Sequence, residues 1–167
     1  WETEGNDRKA LELPCNQDEV ITEITSINKN CVVVLNTGSP VSMSWVKKPK
    51  AILQSWFGGQ EYGNALMEII FGKTNPSGKL PTTFPIKIDD TPAYTSYPGQ
   101  NSQMNYEEKL LIGYRWYEKK GIKPLFPFGH GLSYTNFNFE SLKIEQKDEN
   151  IYCRFNVSNI GKFDGKE

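Results

Sequence analysis

Histidine is almost missing from this 167-residue chain: His130 is the only one. That excludes a multi-histidine metal centre and leaves a serine–histidine pair a single place to form. Cysteine is scarce and odd in number, and Cys15, Cys31 and Cys153 show neither C-x-x-C nor mixed Cys/His ligand spacing. Cys31 and Cys153 fall in apolar, strand-like runs, where a free thiol behaves as a small buried hydrophobe. There is no Asp-rich loop to hold a hard cation, so neither a metal nor a cofactor is expected. Charge of one sign is lacking too. The formal net charge is −1, and the small cluster Lys47, Lys48 and Lys50 reads as a solvated loop, not a nucleic-acid patch. No apolar run approaches the roughly 20 residues of a membrane-crossing helix, which leaves no membrane partner expected. Gly58-Gly59 lacks the G-x-G-x-x-G spacing of a dinucleotide loop. The opening at Trp1 shows neither an initiator Met nor a signal-peptide pattern, and the true N-terminus is expected upstream.

What is present suits a folded domain: 37% of residues are hydrophobic and 13% aromatic. Asp18 to Ile27 sets Val20, Ile21, Ile24 and Ile27 on one helical face, with Asn16 or Asp18 as N-cap. Cys31 to Leu35 is a continuous, β-branched apolar run, as expected of a strand covered on both faces. Ala51 to Trp56 reads as a second buried strand. A helix then runs from about Glu61 to Phe71, with Leu66, Ile69 and Ile70 inward and Gly72 just past its end. Strands alternating with helices at this spacing argue for parallel βαβ units. Asn75-Pro76-Ser77-Gly78 has every mark of a turn, and Lys79 to Phe84 leaves it extended. Asp89 to Gln103 is a long surface loop rich in Pro, Gly, Ser, Thr and Tyr. A helix is open to Tyr106–Tyr117, and Phe126 to Tyr134 gathers aromatics around two glycines.

After Thr135 the period becomes that of strands alone. Phe137–Ile144 and Ile151–Val157 alternate, with Ile151, Cys153, Phe155 and Val157 on one half-buried side. Two domains are expected, residues 1–135 and residues 136–167. The second is incomplete, because about thirty residues in two strands bury too little apolar surface to stand alone. The expected fold is α/β, a mostly parallel sheet sandwiched by helices, followed by the first strands of an incomplete β-sandwich.

One stretch is dense in proton-transfer chemistry: Trp1-Glu2-Thr3-Glu4-Gly5-Asn6-Asp7-Arg8. Two carboxylates, a glycine free to take unusual backbone angles and an Asp-Arg pair could form a catalytic loop or a solvated acidic turn. Elsewhere the bland readings compete well. Glu61 in a first helical turn is favoured by the helix dipole alone. Trp56 reads as core, Tyr97 is an aromatic of the long surface loop, and His130 between glycines reads as a turn residue bonded to backbone. Asn156-Val157-Ser158 is a glycosylation sequon inside an expected strand.

Several motifs taken together resemble the family 3 glycoside hydrolases, chiefly the β-glucosidases. Glu4-Gly5-Asn6-Asp7-Arg8 followed by Leu13-Pro14 is similar to the family's E-G-x-D-R loop, and Val32 to Val41 to the strand and turn after it. Trp56 to Glu61, Asn75 to Pro85 and Phe126 to Thr135 are close to family signatures, in the family's order and spacing. Phe155 to Gly161 resembles the start of the fibronectin-III-like domain that often follows. The resemblance implies a three-part enzyme. A TIM-like barrel, missing from this chain, would carry an aspartate nucleophile, and an α/β sandwich would offer the acid/base glutamate on a loop over the barrel's mouth. Glu4 matches that glutamate. Glu2 is its rival for the role and otherwise, with Trp1, a substrate contact; Asp7 and Arg8 would pair to anchor the loop. The substrate would be a β-glucoside or oligosaccharide cut at its non-reducing end, and the chain alone is expected to be inactive. Two alternatives stay open, a non-catalytic carbohydrate-binding or scaffolding member and an unrelated Rossmann-like binding domain.

Overall fold

Two short runs, one β-branched (Val32-Val33-Val34-Leu35) and one mixed (Ala51-Ile52-Leu53-Gln54), form the parallel pair that the first part of the chain packs around. In the computed structural model, which describes residues 3–6 and 8–167, β1 (Val32–Leu35) pairs in parallel with β2 (Ala51–Gln54), Val32 opposite Ala51 and Leu35 opposite Gln54. By internal contacts the chain divides into two units, Trp1–Gln60 with Leu80–His130, and Glu61–Lys79 with Gly131–Glu167.

In the first unit, α1 (Gln17–Ile27) precedes β1. Asn16 is its N-cap, but a left-handed backbone (φ 59°, ψ 23°) leaves the side chain making no cap bond. The Asn16 carbonyl instead accepts from the Glu19 and Val20 amides. The inward stripe of α1 differs from the expected one. Val20, Ile24 and Ile27 are exposed, whereas Thr25 is buried and Ile21 packs on the core. Thr25 tolerates burial because its hydroxyl donates back to the Ile21 carbonyl at 2.6 Å.

The connection from β1 to β2 is also unexpected, since it contains no helix. Parallel strands need a long crossover, and here residues 36–50 supply it in irregular form. This segment buries its own alternate side chains: Val41, Met43 and Trp45 join Leu35 and Phe84 as the buried core. The Trp45 indole N–H donates to Asp18 Oδ1 at 2.7 Å, tying the crossover to α1. Trp56 and Phe126 meet Phe84 edge-on, with centroids 6.2 and 6.3 Å away. Farther on, a short 3-10 turn at Ile88–Asp90 leads into the long loop. The next helix in this unit is the short one at Tyr114–Lys120, which begins well after Tyr106 because Gly113 starts it at φ 56°.

In the second unit, α2 (Tyr62–Ile70) half-buries Leu66 and Ile69 but leaves Ile70 exposed. Gly72 follows its C-cap at φ 69°, the left-handed geometry expected there. The expected turn at Asn75–Gly78 is absent: the segment is irregular and Asn75 is buried. Its Oδ1 accepts from the Ser133 hydroxyl at 2.9 Å and the Tyr134 amide at 2.7 Å. Those partners, far along the chain, outweigh local turn preference.

The unit ends in an antiparallel hairpin of β3 (Phe137–Lys147) and β4 (Asn150–Asn159), with a register shift between Glu140 and Lys143. Ile151, Cys153, Phe155 and Val157 do share a face, with Phe139 and Ile144 opposite Val157 and Cys153. The expected half-burial is not seen. All of β4 is exposed, Cys153 included, because a two-stranded ribbon has no second layer to cover it. The fold is α/β, with one parallel and one antiparallel strand pair among the described residues.

Candidate active site

The opening stretch folds back on itself at once. Thr3 and Asn6 form an antiparallel bridge, which puts Glu4 and Gly5 at the tip of a tight turn. Gly5 has φ 80°, a value that a type II turn demands at its third position and that glycine meets without strain. Glu4 is exposed there, its carboxylate projecting from a four-residue turn instead of a long flexible loop. Trp1, Glu2 and Asp7 lie outside the described residues, and with them the expected Asp7–Arg8 pair.

Arg8 ties this turn to the sheet. Its Nη2 donates to the Pro40 carbonyl at 2.8 Å, and the Ser42 amide donates to the Leu11 carbonyl at 2.9 Å. Both acceptor and donor belong to the segment leaving the C-terminal end of β1. In open parallel α/β sheets, ligands gather beyond that end of the strands. The neighbouring strand is bound to the same edge, where the Leu35 carbonyl accepts from the Ser55 amide at 2.9 Å and the Ser55 hydroxyl at 2.7 Å. Gln54, the last residue of β2, donates to the Thr37 carbonyl at 3.1 Å and to the Thr37 hydroxyl at 3.2 Å.

Other candidates fall to structural roles. Trp56 packs on the core at φ 53°, a left-handed value that is costly for so bulky a residue and sits directly after β2. Glu61 is the N-cap residue of α2, and its carboxylate accepts from the Asn64 side chain. His130 stacks on Phe126 at 4.9 Å, accepts from the Leu80 amide and donates its own amide to Pro127. Tyr97 is half exposed in the long loop. Among the described residues, no three His, Cys, Asp or Glu side chains converge.

Sequence reasoning missed the Thr37–Gln54 pairing and the burial of Trp45. The first had one faint signal, a polar residue at or shortly past the end of each of two short apolar runs. The second was signalled by the alternation Val41, Met43, Trp45, hidden between a Gly-Ser-Pro break and a lysine cluster.

Comparison with known proteins matches residues 1–134 to the glycosyl hydrolase family 3 C-terminal domain. A thermostable beta-glucosidase B of Acetivibrio thermocellus is 46% identical over 171 aligned positions, covering 100% of this chain and 23% of the relative. A probable beta-glucosidase I of Emericella nidulans is 45% identical, again over 100% of this chain and 21% of the relative. Among solved structures, a beta-glucosidase from Kluyveromyces marxianus in complex with glucose superposes with a TM-score of 0.94 at 38% identity. It covers 99% of this chain and 20% of that one. A beta-glucosidase from Streptomyces venezuelae in complex with D-glucose gives 0.92 at 42% identity, over 95% and 21%. The chain thus spans between a fifth and a quarter of the length of these relatives. With its motifs, its parallel strand pair and this match in agreement, the chain belongs to the glycosyl hydrolase family 3 C-terminal domain family.

Proposed function

We propose that this chain is the acid/base-bearing part of a retaining, exo-acting β-glycosidase of β-glucosidase type, with Glu4 as the proton donor and acceptor. The nucleophile aspartate belongs to a barrel domain preceding it in the same polypeptide, residues 1–135 form the α/β sandwich domain, and residues 136–167 open a fibronectin-III-like domain. Glu2 and Trp1 line the sugar site, and Asp7 helps Arg8 to hold the turn.

The observation that carries the reading is the Thr3–Asn6 turn, which holds an exposed Glu4 at its tip while Arg8 fastens its base to Pro40. Retaining cleavage needs two carboxyl groups roughly 5–5.5 Å apart, one attacking the anomeric carbon and one protonating the leaving oxygen. The second then takes a proton from the incoming water. A carboxyl group on a short turn can reach into a neighbouring domain's cleft and still be placed well, because a tight turn has few conformations to lose. The names of the relatives favour a β-glucoside as substrate.

The test is a leaving-group series on the full-length enzyme. Glu4→Gln should abolish turnover of cellobiose, whose leaving oxygen needs a proton, and spare much more the formation of the glycosyl-enzyme from activated aryl glucosides. Glu2→Gln should show no such selectivity. Full retention of cellobiose hydrolysis by Glu4→Gln would remove Glu4 from the mechanism.

A further inference from the structure

The Glu4 turn is held at one remove. Arg8 grips the Pro40 carbonyl, so the position of the turn depends on the segment Gly38–Val41 that offers it. That segment is pinned in its turn by Thr37, which is 4% exposed and whose hydroxyl donates to the Ser39 carbonyl at 3.0 Å. Thr37 is pinned by Gln54, whose two Nε2 hydrogens meet the Thr37 carbonyl at 3.1 Å and the Thr37 hydroxyl at 3.2 Å. The Gln54 carboxamide gains its place at a cost, since its Oε1 is buried with no partner among the described residues. A side chain chosen for stability alone would carry no such stranded acceptor. Residues that break a local rule in this way are expected beside functional sites.

We infer that Gln54 and Thr37 are positioning residues for the acid/base turn. They run a chain of hydrogen bonds from the end of β2 through Ser39 and Pro40 to Arg8, and so set where Glu4 meets the leaving oxygen. The inference rests on the acid/base reading of Glu4. Proton donation is sensitive to small displacements of the acid, whereas a leaving group that needs no proton is indifferent to them.

The experiment uses the full-length enzyme with Gln54→Met, Thr37→Val and Thr37→Ser, assayed on methyl β-glucoside and on 2,4-dinitrophenyl β-glucoside, with hydrogen exchange of the Ser42 and Ser55 amides recorded. Gln54→Met and Thr37→Val should lower kcat/KM, which reports formation of the glycosyl-enzyme, about tenfold on the methyl glucoside and by less than about twofold on the dinitrophenyl glucoside. Thr37→Ser, which keeps the hydroxyl, should restore the methyl glucoside rate. Gln54→Met removes the unpartnered oxygen but also takes a donor from the Thr37 carbonyl, so it should speed that exchange modestly, and with a side chain of similar length it remains informative if Thr37→Val folds poorly. Equal losses on both substrates, or no loss on either, would overturn the relay. Glu4→Gln runs alongside: if it leaves methyl glucoside turnover intact, the acid/base reading itself has failed. A selective Glu4→Gln effect with an unselective Gln54→Met effect overturns the relay alone.

Discussion

Trp45 is where sequence and fold can be tested against each other quantitatively. Its side chain is fully buried, and its indole N–H donates to Asp18 Oδ1 at 2.7 Å, joining the irregular crossover to the first turn of α1. Trp45→Phe removes that donor and one ring of a packed core residue. Truncating a buried Trp to Ala costs about 3–5 kcal/mol, and a hydrogen bond to a charged group contributes about 1.5–3 kcal/mol, so Trp45→Phe should cost about 2–4 kcal/mol. Asp18→Asn keeps an acceptor but loses the charge and its favourable place at a helix N-terminus, a loss of about 1–2 kcal/mol. Once the donor is gone the charge matters less, and the double variant should therefore cost about 1–2 kcal/mol less than the sum. Because the chain spans about a fifth of the length of its relatives, a global melting curve of the full-length enzyme is the wrong readout. Hydrogen exchange followed by mass spectrometry on the full-length enzyme reports locally. The amides to follow are Ser42, bonded to Leu11, Val46, bonded to Met43, and Lys48, bonded to Trp45. Opening that is 2–4 kcal/mol easier should speed their exchange by about 30- to 900-fold. Additive single and double variants would refute the indole–carboxylate bond as the tie between crossover and helix.

Two further outcomes follow from buried polar groups. Tyr117 is 5% exposed, and burial, with a smaller push from the Asp90 carboxylate, raises its hydroxyl from 10.0 to about 12. The folded protein therefore holds a proton that the unfolded chain has released between those values, so stability falls as pH climbs from about 10 to about 12. The full shift corresponds to roughly 2–3 kcal/mol. Tyr117→Phe should lose that part of the pH dependence, seen in urea midpoints at about pH 9 and about pH 12; an unchanged slope would contradict it. Asn75→Ala strands the Ser133 hydroxyl and the Tyr134 amide and should cost about 2–4 kcal/mol, whereas Asn75→Asp keeps the acceptor and should cost less. Faster exchange of the Tyr134 amide in the Ala variant alone is the expected result.

The parallel strands were legible in the sequence because Val32-Val33-Val34-Leu35 is a continuous β-branched run, which suits a strand inside a sheet and little else. The inward face of α1 was not. Val20, Ile24 and Ile27 satisfy helical spacing as well as Asp18, Ile21 and Thr25 do, and periodicity cannot see that a threonine bonded to its own helix backbone is content in the interior. Asn75 misled for the same reason, since its partners lie near residue 133 and no local rule reaches that far. The Glu4 turn was visible through Gly5 and Arg8, whose residue types announce a tight turn and an anchor. The anchor's partner was not visible, because Pro40 offers only a backbone carbonyl, an acceptor nearly every residue has.

The assignment of Glu4 is tested most directly by removing its side chain in the full-length enzyme and supplying azide. With an activated aryl β-glucoside, Glu4→Ala should still form the glycosyl-enzyme quickly but release it slowly, because no base is left to activate water. Azide needs no base, so it should raise turnover and yield a glucosyl azide with the β configuration. No acceleration by azide, or the same acceleration from Glu2→Ala and not from Glu4→Ala, would contradict the assignment.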